Sequence, residues 1–291
     1  MKLGVHVSIA GDIADSPRRA KELGCNTMQF FSRNPRQRRR ASIEPDKIKE
    51  FRKEVKHYGI NPVVVHVSYV LNLAAAQDSF HEATIKEFIE DLIEADTLGV
   101  DYLVTHMGSH KDLTERAGLL KIHQALAEIL SATKDVKTKI LLENTSGAGS
   151  WLGYKFSHFN FIFERLKWTD RVGVCLDTAH AWAAGYRIDG LEGLEAMLDE
   201  IKEQVGVDRI KVLHINDTKE KLNSCHDRHC DIGDGFIGRR GFYFILNHPS
   251  LKDAAFILET PKDCDADDLR NLETTRKIYS SLEYGDTEEE E

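Results

Sequence analysis

Between Leu213 and Gly235 the chain reads LHINDTKEKLNSCHDRHCDIGDG, a stretch that gathers His214, Asp217, His226, Asp227, His229 and Asp231, with Cys225 and Cys230 alongside. Imidazoles and carboxylates at this density need charge partners, hydrogen bonds or a metal, because an unpaired one is costly wherever water is excluded. Asp227 and His229 lie two positions apart, so an extended backbone presents both to one side. Such donors suit zinc. A salt-bridged polar loop would explain the stretch equally well, and the rest of the chain must decide. Cys225 and Cys230 match no common structural zinc spacing and are set aside as bystanders.

More donors stand at the C-terminal ends of short apolar runs: His66, His106, Glu143, Asp177, His214 and Glu259, with His180 three residues past Asp177. Eight such runs occur, at residues 3–7, 27–31, 62–67, 102–106, 139–143, 173–177, 211–215 and 254–259. They are nearly continuous in Val, Ile, Leu and Phe, the pattern of strands buried on both faces. The segments between carry helical marks. Ser16 and Pro17 read as a cap and a first-turn proline, with Gly24 closing that helix. Residues 44–58 place Ile48, Phe51 and Val55 at spacings of three and four before Gly59. Residues 82–98, 113–132, 189–205 and 265–282 complete the helical set.

This alternation, without a Ser/Gly-rich linker, predicts one α/β domain over residues 1–282, a TIM (β/α)8 barrel. An open doubly wound sheet is the alternative, but no Gly-rich phosphate loop follows the first strand. In a barrel the strand ends face one mouth, so donors scattered over nearly the whole chain converge there. One histidine at a strand end is ordinarily a hydrogen-bonded rim residue. Six donor-bearing ends in one mouth would repel or stay unsatisfied unless cations join them. Without a cysteine ligand, the set suits catalytic Zn²⁺, with Mn²⁺ or Fe²⁺ as alternatives.

Composition sets outer bounds. No apolar run among the 291 residues approaches the ~20 a membrane span needs, and the start, MKLGVHVSIAG, does not read as a signal peptide. Five cysteines without a C-x-x-C pair point to reduced thiols and a cytoplasmic protein. The net charge of −9 argues at first against nucleic acid, yet six acidic residues fall in the tail 283–291, which reads as a solvated, disordered end. Arg33, Arg36, Arg38, Arg39 and Arg40 crowd into one short stretch, a plausible phosphate clamp that could equally be a solubilising loop.

The motifs HVSYVLNL at His66, HMGSH at His106, ENTSGAGS at Glu143, CLDTAHAWAAGY, LHINDTK, DRHCDIGDGFIG and LETP at Glu259 resemble, in order, those of the endonuclease IV family. These are zinc-dependent apurinic/apyrimidinic endonucleases on a TIM barrel. The resemblance implies three zinc ions per chain: one on His66, His106 and Glu143, a second on Glu143, Asp177, His214 and Glu259, a third on His180, Asp227 and His229. Glu143 would bridge the first two and be the central catalytic carboxylate. The resemblance further implies a DNA-probing loop at Ser32–Gln37, with Arg36, Gln37, Tyr69, Val70 and Arg228 contacting damaged duplex DNA and Val70 standing where leucine is usual. Met107, Ala148 and Arg38 depart from the family pattern of proline, glutamine and tryptophan, and none of these changes removes a ligand.

The chemistry expected is hydrolysis of the phosphodiester 5′ to an abasic deoxyribose, giving a 3′-hydroxyl and a 5′-deoxyribose phosphate. Clustered zinc lowers the pKa of bound water toward ~7 and clamps the attacking and leaving oxygens. Two rivals use the same residues. A sugar isomerase or epimerase would need only Glu143, Asp177, His214 and Glu259, leaving five donors and the arginine loop unexplained. A non-catalytic zinc-stabilised DNA-binding protein conflicts with the lack of cysteine ligands and with a site at an open mouth. A monomer is expected.

Overall fold

In the computed structural model, residues 1–33 and 43–283 are described. Arg36, Gln37 and the acidic tail beyond Glu283 lie outside them. Eight strands, β1 (Lys2–Val5), β2 (Met28–Phe31), β3 (Val63–His66), β4 (Tyr102–His106), β5 (Lys139–Glu143), β6 (Val172–Asp177), β7 (Ile210–His214) and β10 (Ala255–Leu258), form one parallel sheet. Its order is β1-β10-β7-β6-β5-β4-β3-β2. A parallel bridge between His6 and Gln29, with the Val7 N–H donating to the Gln29 carbonyl, brings the two edges together and closes a TIM barrel. A two-stranded hairpin, β8 (Asp217–Thr218) with β9 (His229–Cys230), stands apart from it.

The helices are α1 (Ser16–Glu22), α2 (Pro45–Tyr58), α3 (Asp78–Leu98), α4 (Glu115–Ala132), α5 (Phe156–Arg165), α6 (Thr178–Ala183), α7 (Leu191–Gln204), α8 (Gly238–Asn247) and α9 (Asp265–Tyr279). Helix α2 follows the expected logic, with Pro45 in its first turn, Phe51 buried and Gly59 left-handed at φ 65°. Ser16 does not cap α1. It is the first residue of that helix, and its hydroxyl donates to the Ile13 carbonyl at 2.7 Å, while Asp12 caps the preceding 3-10 turn through the Ala14 N–H. Helices α5, α6 and α8 add to the six read from periodicity. α5 is ten residues long and buries Phe156, Phe159, Ile162 and Phe163 on one face, and α6 is only six residues long.

The apolar residues divide into two clusters, one between sheet and helices and one inside the barrel. The inner cluster is Val64, Val104, Leu141, Cys175, Val212, Ala255 and Ile257. Strand side chains alternate, so the residue two positions after an inward one also points inward. Two past Val64, Val104, Leu141, Cys175, Val212 and Ile257 stand His66, His106, Glu143, Asp177, His214 and Glu259. The barrel is plugged by apolar side chains, and the layer above the plug is made of metal-ligating types.

Candidate metal centre

Glu143, at the end of β5 and only 1% exposed, is the hub. Its Oε2 faces His66 Nε2 at 3.0 Å and His106 Nδ1 at 3.5 Å; its Oε1 faces His214 Nδ1 at 2.9 Å and His180 Nδ1 at 3.6 Å. Glu259 Oε2 reaches His214 Nδ1 at 3.3 Å. A third group forms where Asp227 lies 3.2 Å from both His180 Nε2 and His229 Nε2. Asp177 stands between this group and the others, 3.7 Å from His180 Nδ1 and 3.9 Å from His229 Nε2. Ligand atoms of His66, His106 and Glu143 lie within 4.8 Å of one another, and so do those of Glu143, Asp177, His214 and Glu259, and those of Asp177, His180 and His229.

Hydrogen bonds behind the rings set which nitrogen faces the cluster. His66 donates from Nδ1 to the Val67 carbonyl, His180 from Nδ1 to Asn144 O and His229 from Nδ1 to Glu259 O, leaving each Nε2 facing the cluster, where a neutral ring presents it as an acceptor. His214 is reversed: Gln29 Oε1 accepts from Nε2 at 2.8 Å, so Nδ1 points at Glu143. Asn144 and Asn216 hold Asp177, and Asn216 also receives the Glu259 N–H.

Burial opposes charge at His106, Glu143, His180 and His229, and their neighbours decide the outcome. Burial wins at His106, which falls to about 4. At His180 and His229 the carboxylates of Asp177 and Asp227 outweigh burial and lift the rings to about 10 and about 9. The imidazoles around Glu143, His106 and His214 foremost, hold that carboxyl well below the usual range. His106 Nδ1 is buried without a hydrogen-bond partner, and His229 Nε2 faces the Asp227 carboxylate at 3.2 Å without hydrogen-bond geometry. Imidazole nitrogens turned toward shared carboxylates form an oxygen and nitrogen donor set without an obligatory thiolate, which fits zinc.

All nine metal-ligand candidates are thus brought together, with Asp227 the most exposed at 53% of its side chain. Tyr69 is half exposed at the rim, its ring 5.5 Å from that of His66 and 6.0 Å from that of His106. Val70 is half-buried beside it, and Arg228 is exposed with Glu220 at 3.5 Å. A cavity of 330 Å³ opens above the cluster, walled by Tyr69, Ser146, Ala148 and Trp151. Sequence reasoning missed Gln29, Asn144, Asn216 and Trp151, ordinary residue types with no spacing signal. It also missed Cys175, whose thiol lies close to His214 and Glu143 and which the two-residue alternation from Asp177 would have placed inward.

A parallel eight-stranded barrel whose mouth is lined by candidate metal ligands defines the class of this protein, and the family described as xylose isomerase-like TIM barrel matches residues 17–282. A protein of Chloroflexus aurantiacus named probable endonuclease 4 is 40% identical over 283 residues, covering 97% of this chain and 99% of its own. A second of that name, from Halothermothrix orenii, is 39% identical over 262 residues, covering 90% and 94%. The crystal structure of endonuclease IV from Thermus thermophilus superimposes with a TM-score of 0.85 at 32% identity, covering 96% of this chain and 98% of that one. This chain belongs to the endonuclease IV family. A D-tagatose 3-epimerase-like protein, at TM-score 0.72 and 22% identity over 96% of this chain and 97% of its own, shares the barrel.

Proposed function

We propose that this chain is a DNA-repair endonuclease that cuts duplex DNA 5′ to abasic sites, leaving a 3′-hydroxyl and a 5′-deoxyribose phosphate, with three zinc ions at its mouth. The observation that carries the reading is the division of Glu143 between two donor groups, Oε2 toward His66 and His106 and Oε1 toward His214. His66 Nε2, His106 Nδ1 and Glu143 would hold one cation; Glu143, Asp177, His214 and Glu259 a second; His180, Asp227 and His229 a third, with Mn²⁺ or Fe²⁺ able to stand in for some of the zinc. Zinc bound there would supply a water of depressed pKa and positive charge for the attacking and leaving oxygens. The names of the similar proteins, which speak of endonuclease activity, agree with this.

The chain's own residues do the rest. Glu143 remains ionised in a dry site and keeps the first two groups at a fixed separation. Tyr69 and Trp151 wall the cavity, and a nucleotide lacking its base costs less to swing out of the stack and into it. Tyr69 and Val70, with Arg36 and Gln37 from the arginine-rich stretch, would fill the gap left in the duplex, and Arg228 would meet the backbone. No described helix is long and apolar enough to cross a membrane, and all five cysteines are free. These agree with a cytoplasmic enzyme, and a monomer suffices for it.

The test is a duplex with one abasic site, beside an undamaged control, with and without prior chelation. Wild type should cut only at the lesion and lose activity slowly as metal is withdrawn. Glu143→Gln keeps the shape and removes the charge, so turnover should fall to background in a folded barrel. Near-normal turnover in that variant would refute the bridging carboxylate, and no cutting by a metal-replete wild type would overturn the nuclease reading.

A further inference from the structure

Asp217 takes no place among the candidate ligands, yet it is fully buried, and among the described residues no cation pairs with it. A buried carboxylate is costly unless its oxygens are satisfied. Here five backbone N–H groups do so: Oδ1 accepts from Thr218 at 2.8 Å and Ile237 at 3.1 Å, and Oδ2 from Gly233 at 3.0 Å, Gly235 at 2.9 Å and Gly238 at 3.2 Å. Four of the five donors come from beyond β9, so the bonds form only when residues 218–238 wrap back onto the Asp217 side chain.

That wrapped segment carries Asp227 and His229. The β8–β9 pairing sets Thr218 opposite His229 and Asp217 opposite Cys230, and the Thr218 hydroxyl donates to the Arg228 carbonyl at 2.7 Å. Gly235 lets the backbone come this close, since a Cβ there would meet Asp217 Oδ1 at 2.3 Å and Thr218 O at 2.4 Å. The third member of the group, His180, sits on α6 and is held independently through Asn144 and Asp177. His180 is therefore fixed by the barrel, while Asp227 and His229 ride on a loop whose buried charged anchor is Asp217, with His229 also meeting the barrel through its Nδ1 bond to the Glu259 carbonyl. The pair of Asp231 with Arg270 also ties that loop down, but from the solvent side.

We propose that Asp217 is a positioning residue for the third cation: by gathering five N–H groups it holds the 218–238 loop closed and so sets Asp227 and His229 opposite His180. The inference rests on the metal reading of the preceding subsection. Asp217→Asn is isosteric but turns one acceptor into a donor facing N–H groups, and Gly235→Ala strains the same wrap from the loop side, its Cβ pressing on Asp217 Oδ1 and the Thr218 carbonyl while the carboxylate itself is kept. Metal content per chain, after dialysis against a weak chelator and well below the melting transition, is compared with His229→Ala. Both variants should keep the first two cations and bind the third about 10–100-fold more weakly, with kcat lowered more than KM.

A residue that merely stabilised the fold would lower the melting temperature and leave the metal count of the folded protein unchanged. That result, in either variant, overturns the proposal, and if Asp217→Asn does not fold, Gly235→Ala alone decides. Loss of no cation in His229→Ala would instead bring down the metal reading, and the proposal with it. Loss in His229→Ala but not in the two variants rejects the role of Asp217 alone.

Discussion

Gln29 gives the sharpest single perturbation of the second donor group. It is fully buried on β2 and touches two members of that group: Oε1 accepts from His214 Nε2 at 2.8 Å, and Nε2 donates to Glu259 Oε1. Leucine has nearly the same volume and offers neither bond, so Gln29→Leu opens no sizeable cavity. The buried Nε2–H of His214 would lose its acceptor, a cost of about 1–3 kcal/mol, and Glu259 would lose a bond to a charged group, about 1.5–3 kcal/mol. Without that acceptor the ring can change tautomer or turn, and Nδ1 no longer faces Glu143. Removing the partner that orients a ligating histidine typically weakens metal binding about 10–100-fold, or about 1.4–2.8 kcal/mol at roughly 1.4 kcal/mol per decade, in line with one buried hydrogen bond. Competition against a chromophoric chelator, with metal counted per chain, should show one cation weakened by that factor and the others unchanged. Gln29→Glu should not rescue it, since a carboxylate there faces Glu259. Wild-type affinity for every cation in Gln29→Leu would refute the argument that Gln29 fixes the His214 tautomer.

Two further outcomes follow from charge. In the metal-free protein His180 and His229, raised to about 10 and about 9, are both protonated at neutral pH, whereas His106, at about 4, is neutral. Filling the third group should thus expel two protons, and its apparent affinity should fall about 100-fold per pH unit below pH ~8; titration calorimetry in buffers of different ionisation heat measures the release, and fewer than one proton contradicts the pairing. Because both values are raised on folding, the stability they lend the metal-free protein is complete below the unfolded value near 6.5 and is lost as pH climbs through about 9 to 10; a metal-free melting temperature that holds steady across that window would count against it. Arg33, 6% exposed, pairs with the fully buried Asp91 side chain and, at 3.1 Å, with Glu87. Arg33→Met removes one hydrogen-bonded charge pair from Asp91 and one from Glu87 and should cost about 1.5–3 kcal/mol in urea unfolding, the worth of a hydrogen bond to a charged group; an unchanged unfolding midpoint would show that the pairing contributes nothing net.

The rival sugar-isomerase reading needs only Glu143, Asp177, His214 and Glu259, which the structure does gather. It leaves the unpartnered Nδ1 of His106 and the His180, Asp227 and His229 group without a purpose, because none of them belongs to that quartet. Counting metal separates the two cheaply: about three zinc ions per chain favour the nuclease, and one or two Mn²⁺ or Mg²⁺ the isomerase.

Much of this protein was legible in one dimension because two local rules carry it. Strands buried on both faces read as apolar runs, and a polar residue ending such a run must lie at a strand's C-terminal edge. His106, Glu143, Asp177 and His214 each end their strands, and Glu259 follows β10 by one residue. The capping of α1 was misread because Ser, Pro and Asp crowd together there, and several caps are locally possible. Helices α5 and α8 escaped although each buries apolar residues at helical spacing, because ten residues give periodicity little length in which to show, and α6 has only six. What no local rule supplies is pairing over long separations. Gln29 orients His214 across 185 residues, Asn144 and Asp177 hold each other across 33, and Asp217 draws in Gly238 from 21 residues away. Residue types and strand ends sufficed to name the donors; only closure of the barrel decided which nitrogen each histidine presents, which donors share a carboxylate, and what holds the last loop against them.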